Sequence, residues 1–392
     1  GGSDSKSIAN FRNFFYNANY TQNSFAQQQA YVDSRFKAGD QAVNGWTAMP
    51  TSLSNSSNLY FNQIQKHINL MTGHQRQNRK STYTQSRNRK FDALANSISK
   101  LFDYTEDAEL FQEIHSESFD AAVTQGRTLL EVYPDYSCDP YSPDFVLSPC
   151  TRVNYIIDVN SKRLDLKDCQ GLWRRSWLSK KQIAALMPER EKEIDKLKAI
   201  GYRDDKFPLQ KQLQDINISN LHAYDEFYYL DYRDAIMIED PVSQEAFEFI
   251  RQPWEPEDTI DYILSKQPWL KVRKAKKETV KLNISVDNRE FYNGPNLLGI
   301  DRYPFAQYLC YLEADLNSSY RERGVVRDLR DCQWLLNRIR ILQLKMLESQ
   351  PNSGWIYPVD SVVDERAFRQ TDTGVLIPLK KGHTPDEIQK IQ

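Results

Sequence analysis

The chain has 392 residues, more than one ordinary hydrophobic core accommodates, so its length predicts two or three domains. Hydrophobic residues make up 40% and charged residues 27%, a globular composition that excludes a largely disordered chain. The 51 basic residues are balanced by 53 acidic ones, for a net charge of −2. This balance argues against a sequence-specific DNA-binding protein, which needs a positive excess for its phosphate contacts.

The cysteines and the hydropathy pattern limit the cofactors and the compartment. Cys138, Cys150, Cys169, Cys310 and Cys332 form no Cys-x-x-Cys pair and match no zinc spacing. We therefore expect buried free thiols in a reducing compartment, with no metal and no other cofactor. No run of 18 apolar residues and no signal peptide occurs, which predicts no membrane contact. The sequence begins Gly-Gly-Ser without a Met, as a processed product or a fragment would.

The first 60 residues are rich in Asn, Gln and Ser, and they predict an extended arm with short helices, ordered mainly by its neighbours. A helix follows, with Ile64, Ile68 and Met71 on one face and Gly73 as its end. The basic, acid-free stretch Arg76–Lys90 fits either a phosphate or partner contact or a solvated loop. The loop is favoured because charge runs are commonly solvated.

Residues 60 to 240 alternate between helical and strand patterns, which predicts an α+β region. Ser179 and Gln182 match a capping box, so another helix begins there, is interrupted at Pro188 and closes at Gly201. Two amphipathic helices are predicted before it, over residues 91–102 and 107–124, and Gly126 ends the second. Strands are predicted over residues 128–133, 154–159 and 223–238.

Residues 241–286 differ in character from the region before them. Four prolines break 241–270 into short pieces, with a predicted helix over 257–265. The densest basic cluster of the chain occupies 271–277 and leads into 280–286, where apolar and polar residues alternate as in a strand. Asp287-Asn288 is predicted to form a turn. We expect a small β module with one solvated face.

The segment Gly324–Ser349 gives the strongest helical signal, because it contains no Pro and no internal Gly. At 1.5 Å per residue the helix would be roughly 40 Å long, and Pro351 and Gly354 would end it. Apolar residues at two alternating positions per seven predict a narrow helix-packing seam. The seam consists of Val325, Leu329, Cys332, Leu336, Ile339 and Met346. Strands and loops are expected after residue 354.

Several stretches of the chain resemble a known family when they are taken in order. They are Phe61–Arg79, Ser118–Tyr136, Ile157–Lys180, Tyr303-Pro304-Phe305 and Arg323–Asn337. Their order resembles the portal proteins of tailed bacteriophages, of the podovirus P22-like or crAss-like type. Gly126-Arg127-Thr128 departs from the Gly-x-Gly of many relatives, so a different local turn is expected in this chain.

The resemblance implies an α+β portal fold with a mixed α/β wing, a helical stem and a small β-containing clip. It places an N-terminal arm at residues 1–60, the wing at 61–255 and a first stem element at 256–270. The clip follows at 271–320, the long stem helix at 321–350 and a return to the wing at 351–392. Relatives continue into the rest of the wing and often a crown or barrel, so we expect either a chain truncated at residue 392 or a protein that lacks those parts.

The resemblance also implies a structural role in the virion. Copies of the chain would form a ring, a dodecamer in the family, at one capsid vertex after assembly in the host cytoplasm. The ring would be a channel for non-specific double-stranded DNA during packaging and ejection. Its expected partners are the major capsid protein, the large terminase subunit and tail adaptor proteins.

Two groups of charged residues acquire candidate roles from the resemblance. Arg327, Arg338 and Lys345 of the long helix either face the channel or pair with acidic residues of the same subunit, and pairing is favoured. The basic cluster either faces an acidic partner or DNA, or is a solvated sheet edge protected by lysines. The cluster comprises Lys271, Arg273, Lys274, Lys276, Lys277 and Lys281.

Two other classes of function are alternatives. An enzyme finds little support, because the sequence has no Walker loop, no Gly-x-Ser-x-Gly and no His-Glu-x-x-His. Glu113 with His115, or Asp231 with Asp234, are the carboxylate-containing sets that could be read as a site, and we expect no catalytic residues. A different head–tail adaptor or DNA-binding interaction protein is the second alternative.

Overall fold

The computed structural model describes most of the chain. The described residues are 2–41, 60–78, 83–86, 91–108, 110–135, 144–197, 206–207, 209, 220–241, 245–249, 259–313, 321–349, 355–363 and 377–390. Helices and antiparallel strands both occur throughout these ranges, which confirms the predicted α+β class.

The helices and strands are numbered in chain order. The α-helices are α1 (Gly2–Ala38), α2 (Ile64–Gln77), α3 (Asp92–Ala108), α4 (Phe111–Gln125), α5 (Lys180–Leu186), α6 (Glu191–Ile194), α7 (Thr259–Lys266) and α8 (Val325–Ser349). The strands are β1 (Arg127–Asp135), β2 (Asp144–Cys150), β3 (Tyr155–Ile157), β4 (Gly171–Leu178), β5 (His222–Asp240), β6 (Glu245–Phe249), β7 (Lys271–Val286), β8 (Arg289–Pro295), β9 (Phe305–Leu309), β10 (Tyr311–Leu312), β11 (Glu322–Arg323), β12 (Trp355–Ile356) and β13 (Gln389–Lys390).

Two antiparallel sheets share the main hydrophobic core. The larger has the order β3-β4-β5-β7-β8, with β6 paired to the far part of β5, and the smaller has the order β2-β1-β9. Leu129 of β1 and Phe305 of β9 lie in the same buried cluster as Leu172 of β4 and Leu282 of β7. Apolar side chains of both sheets therefore leave water together, which is the main force that holds the two sheets against each other.

The predicted extended N-terminal arm is wrong, because residues 2–38 form the single helix α1. Its buried side chains include few large apolar groups, among them Phe15 and Phe36. A stripe of amides at helical spacing, Asn19, Asn23 and Gln27, is buried on the same side. The helix is thus ordered by packing on its own subunit, and residues 42–59 of the predicted arm lie outside the described residues.

The amide stripe of α1 satisfies the outer edge of the larger sheet. Asn23 donates to the Ile157 carbonyl at 2.8 Å and accepts from the Ile157 N–H at 3.2 Å. Gln27 donates to the Tyr155 carbonyl at 2.9 Å, and Asn19 accepts from the Val159 N–H at 2.9 Å. Buried backbone groups need hydrogen-bond partners. These side chains supply them at the open edge of β3, where a further strand would otherwise pair.

The basic cluster and the alternating segment after it form one strand, β7. β7 pairs with β5 along its full length, from Lys271 opposite Glu239 to Val286 opposite Tyr224. The division into wing and clip stays a prediction, but the described strands do not form a separate sheet from residue 271 onward. The predicted turn at Asp287-Asn288 is confirmed, since both residues have positive φ in a two-residue hairpin.

The remaining helix predictions are mostly confirmed. Ser179 and Gln182 form the predicted capping box, Gly126 ends α4, and α7 lies where a helix was expected. Gly73 does not end α2, which continues to Gln77. Of the basic stretch, Arg76 belongs to α2, whereas residues 79–80 and 87–90 lie outside the described residues, as does Gly201.

The long helix is confirmed as one unbroken element of 25 residues, α8. Its start passes very close to the end of α4. A Cβ atom at Gly324 would lie 2.4 Å from the carbonyl oxygen of Thr124, and one at Gly126 would lie 3.0 Å from the backbone of Arg323. Only glycine permits this approach of two backbones.

Residue contacts divide the chain into two compact units. The first contains Gly1–Arg35 and His67–Asp328, and holds both large sheets. The second contains Phe36–Lys66 and Leu329–Gln392, and includes most of α8 and the β12–β13 pair. The expectation of buried free thiols is confirmed for Cys150 and Cys169, but Cys310 is half-buried and Cys332 is exposed. Cys138 lies outside the described residues.

Candidate interaction surfaces

The inward face of α8 is largely polar. Gln333 donates to the Phe61 carbonyl at 2.7 Å and accepts from the Gln63 N–H at 3.1 Å. Asn337 accepts from the Phe61 N–H at 3.1 Å and also bonds to Gln41. This inward face is fixed by side-chain amides that satisfy the backbone of the segment before α2, and it uses little apolar surface.

The outward face of α8 carries an apolar stripe, defined here as Leu335, Ile339, Leu342 and Met346. The four residues follow each other at intervals of four, three and four, so they lie on one side of the helix. All four are exposed, from 41% for Leu342 to 68% for Met346. A contiguous apolar strip of this kind is typical of a surface that another protein covers.

The predicted seam overlaps this stripe only in part. Ile339 and Met346 belong to both sets, and Cys332 is exposed beside them, whereas Val325, Leu329 and Leu336 are half-buried. Leu335 and Leu342 were not included in the seam. Their separation by seven residues, in phase with Ile339 and Met346, is the signal in the sequence that identifies them.

The three candidate channel-facing cations have different surroundings. Arg327 pairs with Asp33 at 3.3 Å and donates to the Glu322 carbonyl at 2.8 Å, with 15% of its side chain exposed. Arg327 therefore forms an ion pair within its own subunit, with Asp33 of α1. Arg338 is exposed and lies over the ring of Trp334, 5.5 Å from its centre. The side chain of Lys345 is outside the described part of the structure.

The basic cluster lies on a β ribbon made by the far parts of β5 and β7, with β6 along the other edge of β5. Lys271 through Glu278 are exposed apart from Val272, which is half-buried, whereas the following residues of β7 enter the core. Among the described strands this part of β7 is an edge strand, while Ala235 and Ile238 of β5 beside it are buried. The ribbon therefore presents its charges to solvent.

Carboxylates pair with part of the basic cluster. Lys277 contacts Glu248 at 2.7 Å and Asp301 at 3.2 Å, and Arg233 joins the same two carboxylates. The hydrogen bond from Arg233 lowers the pKa of Asp301 to about 2, and hydrogen bonds from Arg233 and then Lys277 lower the pKa of Glu248. Lys281 pairs with Asp231 at 2.5 Å.

The other members of the basic cluster are less engaged. Arg273 is 3.7 Å from Glu239, a long ion pair between two exposed side chains. Lys271, Lys274 and Lys276 have no ion-pair partner among the described residues. These three lysines are the part of the cluster that is available to a partner.

The residues of the two carboxylate-containing sets make other contacts. The ring of His115 lies 2.6 Å from the Tyr308 hydroxyl and stacks on Phe111, and Asp231 holds Lys281. Within the described ranges, no group of three or more His, Cys, Asp or Glu side chains has the proximity that a metal ion needs. Nor does any described helix combine the length and the apolar character needed to cross a bilayer.

A comparison with protein families gives one match. The family model described as "Phage P22-like portal protein" matches residues 15–392. The match begins inside α1 and includes both sheets and α8, so it covers more of the chain than the stretches that first suggested the resemblance. No curated protein matches the chain.

Proposed function

Because the chain belongs to the phage P22-like portal protein family, we propose that it is the structural subunit of a ring at one capsid vertex. The ring, a dodecamer in our proposal, forms the channel through which double-stranded DNA is packaged and ejected. It contacts the major capsid protein, and docks the large terminase subunit and later tail adaptor proteins. The subunit is assembled in the host cytoplasm and remains in the virion.

The exposed apolar stripe of α8 is the observation that carries the proposal of a ring. A closed ring of identical subunits needs two different surfaces on each copy that fit each other. The stripe supplies an exposed apolar surface on an unbroken helix, whose opposite face is already fixed by Gln333 and Asn337. Helices placed side by side around an axis bury such stripes while they leave polar faces for the channel and the exterior.

The charge of the chain suits a channel through which DNA moves. Strong, numerous phosphate contacts would hold DNA in place, because each neutralised phosphate adds to a salt-dependent affinity. Basic and acidic residues are nearly balanced in this chain, and several cations of the ribbon are already paired. We propose that Arg338 faces the channel and meets passing phosphates without forming a tight site.

The ribbon is the proposed docking surface for the terminase or an adaptor. Lys271, Lys274 and Lys276 would meet acidic side chains of that partner, with an effect mainly on the association rate. Reversing these three charges should weaken the partner's binding at least tenfold, measured by surface plasmon resonance on assembled rings. A matched variant with Lys181, Lys192 and Lys196 reversed should bind normally. Equal weakening by both variants would contradict docking at the ribbon.

The ring itself is tested on the purified chain. Light scattering coupled to gel filtration should give a mass of many subunits, and negative-stain images should show closed rings with a central hole. A single monomeric species at high concentration would contradict the proposal, and would favour a head–tail adaptor or another interaction protein of different assembly.

A further inference from the structure

A buried group of arginines lies in the first unit where α1, β1 and β11 meet. The Glu322 carboxylate forms ion pairs with two of them, Arg127 at 3.0 Å and Arg152 at 2.9 Å. Arg152 also donates to the Asn23 side chain at 2.8 Å. Each of these four residues is more than nine-tenths buried, so their charges are largely shielded from bulk water and must be balanced by protein groups or a bound ligand.

A third arginine of the group has no carboxylate partner among the described residues. Arg321 donates to the Val159 carbonyl at 2.7 Å and to the Ser161 carbonyl at 3.4 Å, and only 9% of it is exposed. The Nε groups of Arg321 and Arg127 have no hydrogen-bond acceptor in the described part of the chain. An unsatisfied donor on a buried cation bears the full cost of its desolvation.

A small cavity adjoins these guanidinium groups. It is lined by Arg127, Arg152, Arg321, Glu322, Asp158 and Gln22, among others, and has room for about one water-sized occupant. The carboxylate of Asp158 accepts hydrogen bonds from the backbone N–H groups of Asn160 at 2.9 Å and Gln170 at 3.0 Å. The side-chain oxygen of Gln22 has no hydrogen-bond donor among the described residues, and a flip of its carboxamide would present the NH2 group to the cavity instead.

The charges around the cavity do not balance. The guanidinium groups of Arg127, Arg152 and Arg321 face two carboxylates. That of Glu322 pairs with two of the arginines, and that of Asp158 accepts from backbone amides. A small anion in the cavity would neutralise the excess positive charge and accept from the unsatisfied Nε groups. A water molecule would accept these bonds but would leave the charge uncompensated.

We propose that this cavity binds a single halide ion, chloride in the cell. The ion occupies the junction where the chain passes from β11 into α8, and it holds α1, β1 and β11 together. Its role is structural and independent of the proposed ring, because every residue of the site belongs to one unit of one subunit. Room for about one water-sized occupant favours a monatomic ion over phosphate or sulfate.

Diffraction from crystals grown or soaked with sodium bromide tests the site directly. An anomalous bromide peak is expected in the cavity, about 3.2–3.5 Å from guanidinium nitrogens, slightly beyond the N–H···O range because bromide is larger than oxygen. Density that refines as water, with no anomalous signal at bromide concentrations well above that of the protein, would overturn the proposal.

Thermal unfolding gives a second test in solution. Replacing sodium gluconate by sodium chloride or bromide at constant ionic strength should raise the Tm by about 2 °C or more, with saturation, because only the folded state holds the ion. Arg321→Met should abolish this shift, and Arg289→Met, at an exposed arginine of the same unit, should retain it. An identical shift in both variants would overturn the assignment. If Arg321→Met does not fold, the bromide peak in the natural protein decides.

Discussion

Glu131 of β1 shares one arginine with a second carboxyl group. Arg174 of β4 contacts both Glu131 and Glu226, the latter at 3.0 Å. Burial raises the pKa of Glu131 to about 8, with Arg174 opposing the rise and Glu226 adding to it. One guanidinium does not neutralise two buried carboxylates, so Glu131 holds a proton in the folded protein at pH values at which the unfolded chain has lost it.

The stability of the protein should consequently depend on pH through Glu131. Its folded-state pKa lies above the unfolded value, so its contribution is complete below about pH 4.5 and is lost as the pH rises toward 8. Glu131→Gln removes this loss. The free energy of unfolding of the variant relative to the natural protein should therefore be higher at pH 8 than at pH 5, by roughly 1–3 kcal/mol.

Urea denaturation at the two pH values measures this difference. The exposed Glu117 on α4 provides the control, since Glu117→Gln changes the same chemical group without a buried environment. A Glu131→Gln effect that is the same at both pH values would show that Glu131 does not titrate between them in the folded protein.

Gly324 is the residue at which the backbones of α4 and α8 approach most closely. Gly324→Ala should destabilise the protein by roughly 1–3 kcal/mol, because the added methyl group would lie 2.4 Å from the Thr124 carbonyl oxygen and the backbone must shift. Gly73→Ala is the matched control, with no atom within 4 Å of the new Cβ. As Gly73 lies inside α2, alanine there should stabilise by up to about 1 kcal/mol. Equal denaturation midpoints for the two variants would contradict the close approach.

At the scale of elements, α1 is held by buried hydrogen bonds as well as by the packing of Phe15 in an aromatic cluster. Asn23 makes bonds to both the N–H and the carbonyl of Ile157 and to Arg152. Asn23→Ala leaves these buried groups without partners, so the free energy of unfolding should fall by about 2–4 kcal/mol. Asn17→Ala, at an exposed position of the same helix, should be neutral or slightly stabilising. Comparable losses in chemical denaturation would contradict this attachment of α1.

Elements with strong local signals could be predicted from the sequence. The helix α8 lacks Pro and internal Gly, and the helix α5 begins at a capping box whose two hydrogen bonds depend on residues three apart. The turn at Asp287-Asn288 needs residues that tolerate positive φ. In each case the residues that determine the structure are close together in the chain.

The elements that were missed depend on distant residues. α1 buries Asn19, Asn23 and Gln27, so a reading that assigns polar residues to solvent finds no helix face there. The first half of β7 is almost entirely charged and becomes a strand because β5 lies beside it. The same limit applies to the candidate surfaces, since neither the pairing of Arg327 with Asp33 nor that of Lys277 with Glu248 follows from sequence spacing.

At the scale of the whole molecule, two faces of α8 have different roles in the proposed ring. The inward face stabilises the subunit, and the apolar stripe joins subunits. Substitutions on the inward face of α8 should lower the stability of the subunit, because Asn337 and Ile341 are buried. Substitutions on the apolar stripe should leave the subunit folded, because exposed positions change stability by only about 0.5 kcal/mol. Assembly and folding can therefore be tested independently.

The triple variant Leu335→Gln, Ile339→Gln and Met346→Gln tests the stripe. Glutamine retains good helix propensity. The circular dichroism spectrum and the Tm of the variant should therefore match those of the dissociated natural subunit. The rings should be lost, with a monomer mass in light scattering, since three apolar contacts would be removed from every subunit interface of a closed ring. Leu347→Gln, an equally exposed leucine on another side of α8, should leave rings intact. Rings that survive the triple variant would show that copies of this chain associate through another surface.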